Sequence, residues 1–255
     1  MLPKLLLTLV AFSAALSAQV VALNGASFRL DQVGVVSTGS FASAFPPKSS
    51  TFAGVTTNST GTLPYLTTLA NVSVSIDGTK VPVQFVSPGQ INFLVPYVMT
   101  PGLKTLSVVS SGGTITGSLR VISAAPGLFF VASDTVAPPA GRALNQDGVT
   151  VNSATAPTRR GDTISIFGTG PGVFNNPATD GAAPGGTPLV KTVSTPQALV
   201  NGVDAQVDFS GLNPNFPGLW QVNIKIPTNS FITGRVPVVI FVDGVDSNEV
   251  SIFVQ

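Results

Sequence analysis

One segment of this chain occurs twice, and that duplication constrains the fold more than any single residue does. Gln90-Ile91-Asn92-Phe93-Leu94-Val95-Pro96 returns as Gln221-Val222-Asn223-Ile224-Lys225-Ile226-Pro227. Upstream, Val74-Ser75-Ile76-Asp77-Gly78 is matched by Ala198-Leu199-Val200-Asn201-Gly202, and each continues into an alternating run. Downstream, Leu106-Ser107-Val108-Val109 with Gly112-Gly113 is matched by Val236-Pro237-Val238-Val239-Ile240 with Asp243-Gly244. Gly39 and Gly161 match more weakly, each six residues before a Phe (Phe45 and Phe167). From the turn Gly to the repeated Gln there are 12 residues in the first copy and 19 in the second. The second copy therefore carries a seven-residue insertion around Gly211-Leu212-Asn213-Pro214-Asn215-Phe216-Pro217. A repeat of this length predicts two copies of one structural unit. The expected boundary lies near Ala124-Ala125-Pro126-Gly127, giving units at residues 19–124 and 125–255.

Within each copy the apolar residues alternate, as in Val72, Val74, Ile76 and again in Ile91, Phe93, Val95. A period of two predicts strands with one buried face. Asp77-Gly78, Asn201-Gly202 and Asp243-Gly244 separate such runs, and these dipeptides supply the positive φ values that two-residue hairpins require. Clusters of Pro, Gly, Ser and Thr fill the remaining gaps, and no segment shows a helical period. Short strands with regular turn signals, in units of ordinary domain size, predict an all-β chain of two tandem antiparallel β-sandwiches.

Residues 1–18 form a different kind of segment. Lys4 precedes the apolar run Leu5-Leu6-Leu7-Thr8-Leu9-Val10-Ala11-Phe12, and small residues follow at Ser13, Ala14, Ala15, Ser17 and Ala18. This is the pattern of a secretory signal peptide, too short for a membrane span. It places the mature chain outside the cytoplasm, in the extracellular space or the periplasm. The rest of the chain has no cysteine for a lipid anchor and no apolar stretch of membrane-spanning length.

Composition narrows the function. The chain has no His and no Cys, and its 12 Lys and Arg against 11 Asp and Glu amount to 9% charged residues. That excludes a thiol nucleophile, a Ser-His-Asp triad and imidazole metal sites. The sparse, balanced charge also lacks the basic footprint of a nucleic-acid binder.

The order of strand, Asp/Asn-Gly turn, alternating strand, Gln-x-Asn segment and closing hairpin resembles the IPT/TIG immunoglobulin-like fold. Longer phrases resemble a family of exported proteins from Acidobacteria: Asn24-Gly25-Ala26-Ser27-Phe28, Phe85-Val86-Ser87-Pro88-Gly89-Gln90-Ile91-Asn92-Phe93, Ala124-Ala125-Pro126-Gly127-Leu128-Phe129, Ala143-Leu144-Asn145-Gln146-Asp147-Gly148 and Phe209-Ser210-Gly211-Leu212. The resemblance covers nearly all of the mature chain. It departs at Phe45-Pro46-Pro47, where related sequences more often have a Gly-rich turn. It implies tandem immunoglobulin-like sandwiches and export, and it carries over no catalytic residue.

Six features are weighed as candidate sites. On a strand Gln90 and Asn92 share one face, as do Gln221 and Asn223. These amides form either a ligand-binding ladder or, favoured by their presence in both copies, a structural motif bonded to neighbouring loop backbone. Phe216 and Trp220, close together near the insertion, are the candidate ligand-binding aromatics, able to stack on a sugar ring if exposed. The alternative for Trp220 is packing over the core at the base of the loop. Asp243, Asp246, Asn248 and Glu249 supply oxygen atoms of the kind calcium takes, without the spacing of a calcium loop; no metal site is expected. Arg160-Gly161-Asp162 spells an adhesion tripeptide but reads first as a turn into Thr163-Ile164-Ser165-Ile166-Phe167. Asp204 and Asp208 fall on one strand face about 13 Å apart at roughly 3.3 Å per residue, a poor acid/base pair. Gly168-Thr169-Gly170-Pro171-Gly172 lacks the Lys of a phosphate loop and reads as a plain loop.

These readings predict a secreted, non-catalytic tandem protein acting as an extracellular binding, adhesion or spacer module, with no cofactor. The alternatives are a carbohydrate-binding module built on the second copy's aromatics and, less favoured, an Asp-dependent hydrolase in which Asp162, Asp204 and Asp208 converge. The expected partner is an extracellular protein or a glycan, with self-association favoured by the low surface charge and open sheet edges.

Overall fold

Asp77-Gly78, Asn201-Gly202 and Asp243-Gly244 all adopt left-handed backbone, with φ of 48° and 82°, 50° and 75°, and 49° and 79°. Each closes a two-residue hairpin, as the sequence predicts. The computed structural model describes residues 19–48, 50–59, 61 and 63–255. The signal-peptide reading of residues 1–18 lies outside the described residues.

The first sandwich contains β1 (Val21–Asn24), β2 (Val35–Ser37), β3 (Phe41–Phe45), β4 (Thr57–Asn58), β5 (Ser73–Ile76), β6 (Thr79–Val81), β7 (Val83–Val86), β8 (Ile91–Leu94), β9 (Gly102–Ser110) and β10 (Gly113–Ile122). Its two sheets have the orders β1-β3-β8-β7-β4 and β2-β10-β9-β5-β6. The second sandwich contains β11 (Gly127–Leu128), β12 (Ala143–Leu144), β13 (Thr163–Thr169), β14 (Gln197–Val200), β15 (Val203–Ala205), β16 (Val207–Leu212), β17 (Trp220–Lys225), β18 (Gly234–Val242), β19 (Val245–Asp246) and β20 (Val250–Val254). One sheet runs β11-β13-β17-β16 with β12 on β13, and the other β15-β14-β18-β19 with β20 on β18. The described residues are nearly all-β, with one 3-10 turn at Leu30–Gln32, and form two tandem immunoglobulin-like sandwiches.

The duplicated sequence segments occupy equivalent places. β8 lies between β3 and β7, as β17 lies between β13 and β16; β5 lies between β6 and β9, as β14 lies between β15 and β18. Pairings between the named strands are antiparallel except β2 with β10, which is parallel. Within β17 the side chains alternate, with Trp220, Val222 and Ile224 buried and Gln221 and Asn223 half-buried. The inward residues of each pair of sheets form separate apolar cores, one around Val74, Ile91, Phe93 and Leu106, the other around Ile164, Trp220, Val222 and Ile240. Each such side chain contributes about 1.5–3 kcal/mol on leaving water.

A third buried cluster joins the two sandwiches. Leu94 and Tyr97 of the first pack with Phe174, Val190 and Leu212 of the second, against Phe41 and Ala178. The Tyr97 and Phe174 rings meet edge to face at 5.9 Å. Gly39, at φ 65°, lies beneath both rings, where a Cβ would come within 2.7 Å of Tyr97 and 2.9 Å of Phe174. The chain connection is equally tight. Asn24 Oδ1 accepts from the Ala26 and Ser27 amides, while its Nδ2 donates to the Ala125 carbonyl at 2.8 Å.

Candidate functional site

The seven-residue insertion lengthens the turn between β16 and β17 and carries it back onto the first sandwich. Asn213 shapes this turn, its amide donating to Leu219 O and its Oδ1 accepting from the Asn215 amide. At its far end the Gly218 amide donates to the Tyr97 hydroxyl at 2.8 Å, and the Gly218 carbonyl accepts from Thr169 Oγ1 at 3.1 Å. The same Thr169 oxygen accepts from the Phe41 amide at 2.7 Å. One hydroxyl thus ties β3, β13 and the insertion together. A neighbouring loop adds two bonds, from the Tyr97 amide to Asp180 Oδ1 at 2.8 Å and from the Tyr65 amide to Gly181 O at 2.9 Å.

Where the insertion meets the outer face of β3, β7 and β8 it leaves a cleft of about 250 Å³. Phe41, Ser43, Tyr65, Gln84 and Asn92 come from the first sandwich; Phe129, Phe216, Pro217 and Leu219 come from the second. The lining combines four aromatic side chains with one row of amides and a hydroxyl. Phe216 is 54% exposed, at the mouth. Tyr65 is 8% exposed, its ring 6.3 Å from that of Phe41, and burial raises the pKa of its phenol. It therefore remains a neutral hydroxyl at ordinary pH. No carboxylate or cationic side chain lines the cleft among the described residues.

The repeated Gln-x-Asn segments hold their neighbours through side chains, not through loop backbone as expected. Ser43 Oγ and Gln90 Nε2 both donate to Asn92 Oδ1, at 2.9 and 2.7 Å, and Asn92 Nδ2 donates to Gln84 Oε1 at 3.3 Å. The second copy repeats the arrangement, with Ser165 Oγ and Gln221 Nε2 donating to Asn223 Oδ1, each at 2.9 Å. The cause is register: Ser43 lies directly opposite Asn92 and Ser165 opposite Asn223, within reach of short polar side chains. In the first copy this ladder is also the polar wall of the cleft.

Trp220 is not available to a ligand. It is 0% exposed, and its Nε1 donates to Ser210 Oγ at 2.9 Å. Position 220 opens β17, where the alternation that exposes Gln221 turns the indole inward over Leu128 and Gly168. Of the two predicted aromatics, only Phe216 reaches the cleft. Phe41, Tyr65, Gln84 and Phe129 were not legible as site residues, because they converge only when the sandwiches dock.

The remaining candidates have structural partners. Asp243 forms its hairpin turn; Asp246 pairs with Arg29 at 2.9 Å. Asn248 Oδ1 accepts from the Leu128 amide and its Nδ2 donates to the Leu128 carbonyl. Glu249 lines a shallow depression with Arg29, whose guanidinium is already the local cation. Among the described residues no group of three or more acidic, His or Cys side chains is placed to hold a metal. In the adhesion tripeptide the Arg160 guanidinium donates to Ile232 O, and the Gly161 amide donates to Ile226 O, making it a half-buried turn. Asp204 accepts from Gln197, whereas Asp208 accepts from Thr163 and Gln206. The depression lined by Asp204 includes neither Asp208 nor Asp162. No described helix is long and apolar enough to cross a membrane.

Fold and site together define a tandem immunoglobulin-like chain with a neutral, aromatic-lined cleft at its junction. No protein-family model matches the chain, and no curated protein matches it in sequence. Among solved structures it is similar to SGBP-B of the Bacteroides ovatus mixed-linkage glucan utilization locus, in complex with a mixed-linkage heptasaccharide, at 16% identity and a TM-score of 0.26. That alignment covers 90% of this chain and 43% of the other, so this chain spans less than half of that protein's length. It is also similar to domains 5-6 of the S-layer protein SbsC, at 12% identity, with 93% and 95% covered and a TM-score of 0.27. Titin Ig tandem domains align at 9% identity, with 87% and 90% covered and a TM-score of 0.23. At these scores the similarities carry no argument about function.

Proposed function

We infer that this chain is a secreted, non-catalytic binding module, exported by a leader at residues 1–18 and built of two IPT/TIG-type domains, 19–124 and 125–255. The junction holds the domains at a set angle and presents the cleft to an extracellular ligand. The observation that carries this reading is the lining itself: both sandwiches contribute to it, and its aromatic and amide groups converge, with no acid/base pair beside them among the described residues. Such a concave, mostly apolar site with a few placed polar groups is the usual form of a ligand pocket. A carbohydrate-binding reading finds its support in Phe216, which is exposed at the mouth. Self-association is disfavoured at two sheet edges, since β6 and β15 are three residues long and carry Lys80 and Asp204.

The test is retention of a partner or glycan from the exported fraction by the mature chain, compared with its Phe216→Ala variant. The expected result is retention that the substitution abolishes. Retention indifferent to Phe216 would place binding elsewhere. Turnover of ester or glycoside substrates by the purified chain would overturn the non-catalytic reading.

A further inference from the structure

We propose that the cleft between the sandwiches takes one neutral, hydroxyl-rich six-membered ring, either as a free monosaccharide or as the terminal unit of a glycan. This rests on the binding reading above and adds the ligand class, the size and the groups that recognise it. Size comes first. At about 250 Å³ the cleft falls below the roughly 300–1,000 Å³ of sites that enclose drug-sized ligands. It accommodates a single ring.

The wall chemistry selects the ring. Phe41, Phe129 and Phe216 offer apolar faces, while Ser43, Gln84 and Asn92 form a polar wall. A pyranose has matching surfaces, with C–H faces and a rim of hydroxyls. The polar wall is preorganised, because Asn92 is held by Ser43, Gln90 and Gln84 before any ligand arrives. Preorganised groups lose little entropy on binding.

Two donors are left over. Gln84 uses its Oε1 to accept from Asn92, and its Nε2 takes no partner among the described residues. The Tyr65 hydroxyl also takes none there, and it is not among the side-chain oxygens sealed from solvent, so it is open to water or to a ring hydroxyl in the cleft.

Other occupants fit less well. A charged ligand would find no counter-charge in the lining. A hydrocarbon chain would desolvate the amide wall without replacing its hydrogen bonds. A peptide that adds as a strand needs an unpaired strand edge, and β3, β7 and β8 are each paired on both sides.

The experiment is a titration of the isotope-labelled, exported chain followed by nuclear magnetic resonance. The probes are methyl pyranosides of glucose, galactose and mannose, an anionic methyl glucuronide, phenol as an apolar ring, and a neutral tetrasaccharide. A small ring reaches only the millimolar range, which this method reads. The expected result is saturable shifts at Ser43, Gln84, Asn92 and Phe216 with at least one neutral pyranoside, and weaker binding of the glucuronide. Tyr65→Phe deletes only the free hydroxyl and should weaken that pyranoside about three- to tenfold. Gln84→Leu should do the same, with unchanged circular dichroism showing that both variants are folded. Saturation transfer confined to the end ring of the tetrasaccharide would identify a chain terminus as the source; binding of the methyl glycosides alone would identify the free sugar. Phenol shifting the cleft resonances while every pyranoside leaves them still would overturn the ring assignment but leave the binding reading standing. An unchanged affinity in both variants would overturn the assignment of the two donors. A cleft that no probe perturbs, in a chain that retains no partner, would overturn both readings.

Discussion

Replacing Tyr97 by Phe tests whether the two sandwiches are held together by specific bonds or merely rest on one another. The substitution keeps the ring, which is 4% exposed and packed edge to face on Phe174. It deletes the one oxygen that accepts from the Gly218 amide at 2.8 Å. Gly218 is buried under Leu94 and Phe41, so water cannot replace the lost acceptor. A buried donor left without a partner costs about 1–3 kcal/mol. At about 2–4 °C per kcal/mol for chains of 150–250 residues, the midpoint should fall by roughly 2–12 °C. Tyr65→Phe is the matched control, removing a hydroxyl with no partner among the described residues, and it should change stability by less than about 0.5 kcal/mol. The assay is thermal unfolding of all three proteins, with hydrogen exchange of the Gly218 amide as the local readout. Burial pushes the Tyr97 phenol well above the ordinary tyrosine range, so the difference should be independent of pH from 5 to 9. If Tyr97→Phe unfolds with Tyr65→Phe and the Gly218 amide keeps its protection, the hydroxyl does not hold the junction.

Three further outcomes follow from the packing. Trp220→Phe removes a buried indole and its bond to Ser210; calorimetry should show a loss of about 2–4 kcal/mol, with ligand affinity unchanged once the protein is folded. Gly170→Ala places a Cβ, at φ 81°, into the Ala125 carbonyl oxygen; thermal unfolding should show a loss of at least about 2 kcal/mol and a loosened junction by small-angle scattering. Acid should unfold the wild type more steeply than Asp134→Asn. The Arg235 guanidinium, with the Ala140 and Val136 amides, holds the Asp134 carboxyl down to about 2. Its folded pKa lies below the unfolded value of about 3.9, so its contribution is complete above pH 4 and is lost as the pH falls toward 2. Unfolding midpoints measured from pH 2 to 5 should converge at the acid end; parallel curves would refute the pairing.

What was legible in the sequence is what depends on neighbours along the chain. Asp77-Gly78 and Asn201-Gly202 announce hairpins because their backbone requirement is local. The alternation in Ile91-Asn92-Phe93 announces which residues face inward because a strand has a period of two. The Gln-x-Asn repeat was visible as a pattern, but its partners were not. Ser43 and Ser165 are 49 and 58 residues away from Asn92 and Asn223, and only strand register brings them opposite. The cleft was less legible still. Phe216 stood out because it sits in the insertion, whereas Tyr65 and Phe129 carry no signal until two separately folded faces meet. Trp220 misled because proximity to an insertion suggests exposure, while its place on β17 buries it.

The single hydroxyl of Thr169, bonded at once to Phe41 and Gly218, has a thermodynamic consequence. Because the cleft has one wall from each sandwich, it exists only while they are docked, and occupancy and docking are linked equilibria. Whatever free energy a ligand gains in the cleft is added to the work of separating the sandwiches, and any force that separates them lowers affinity by the same factor.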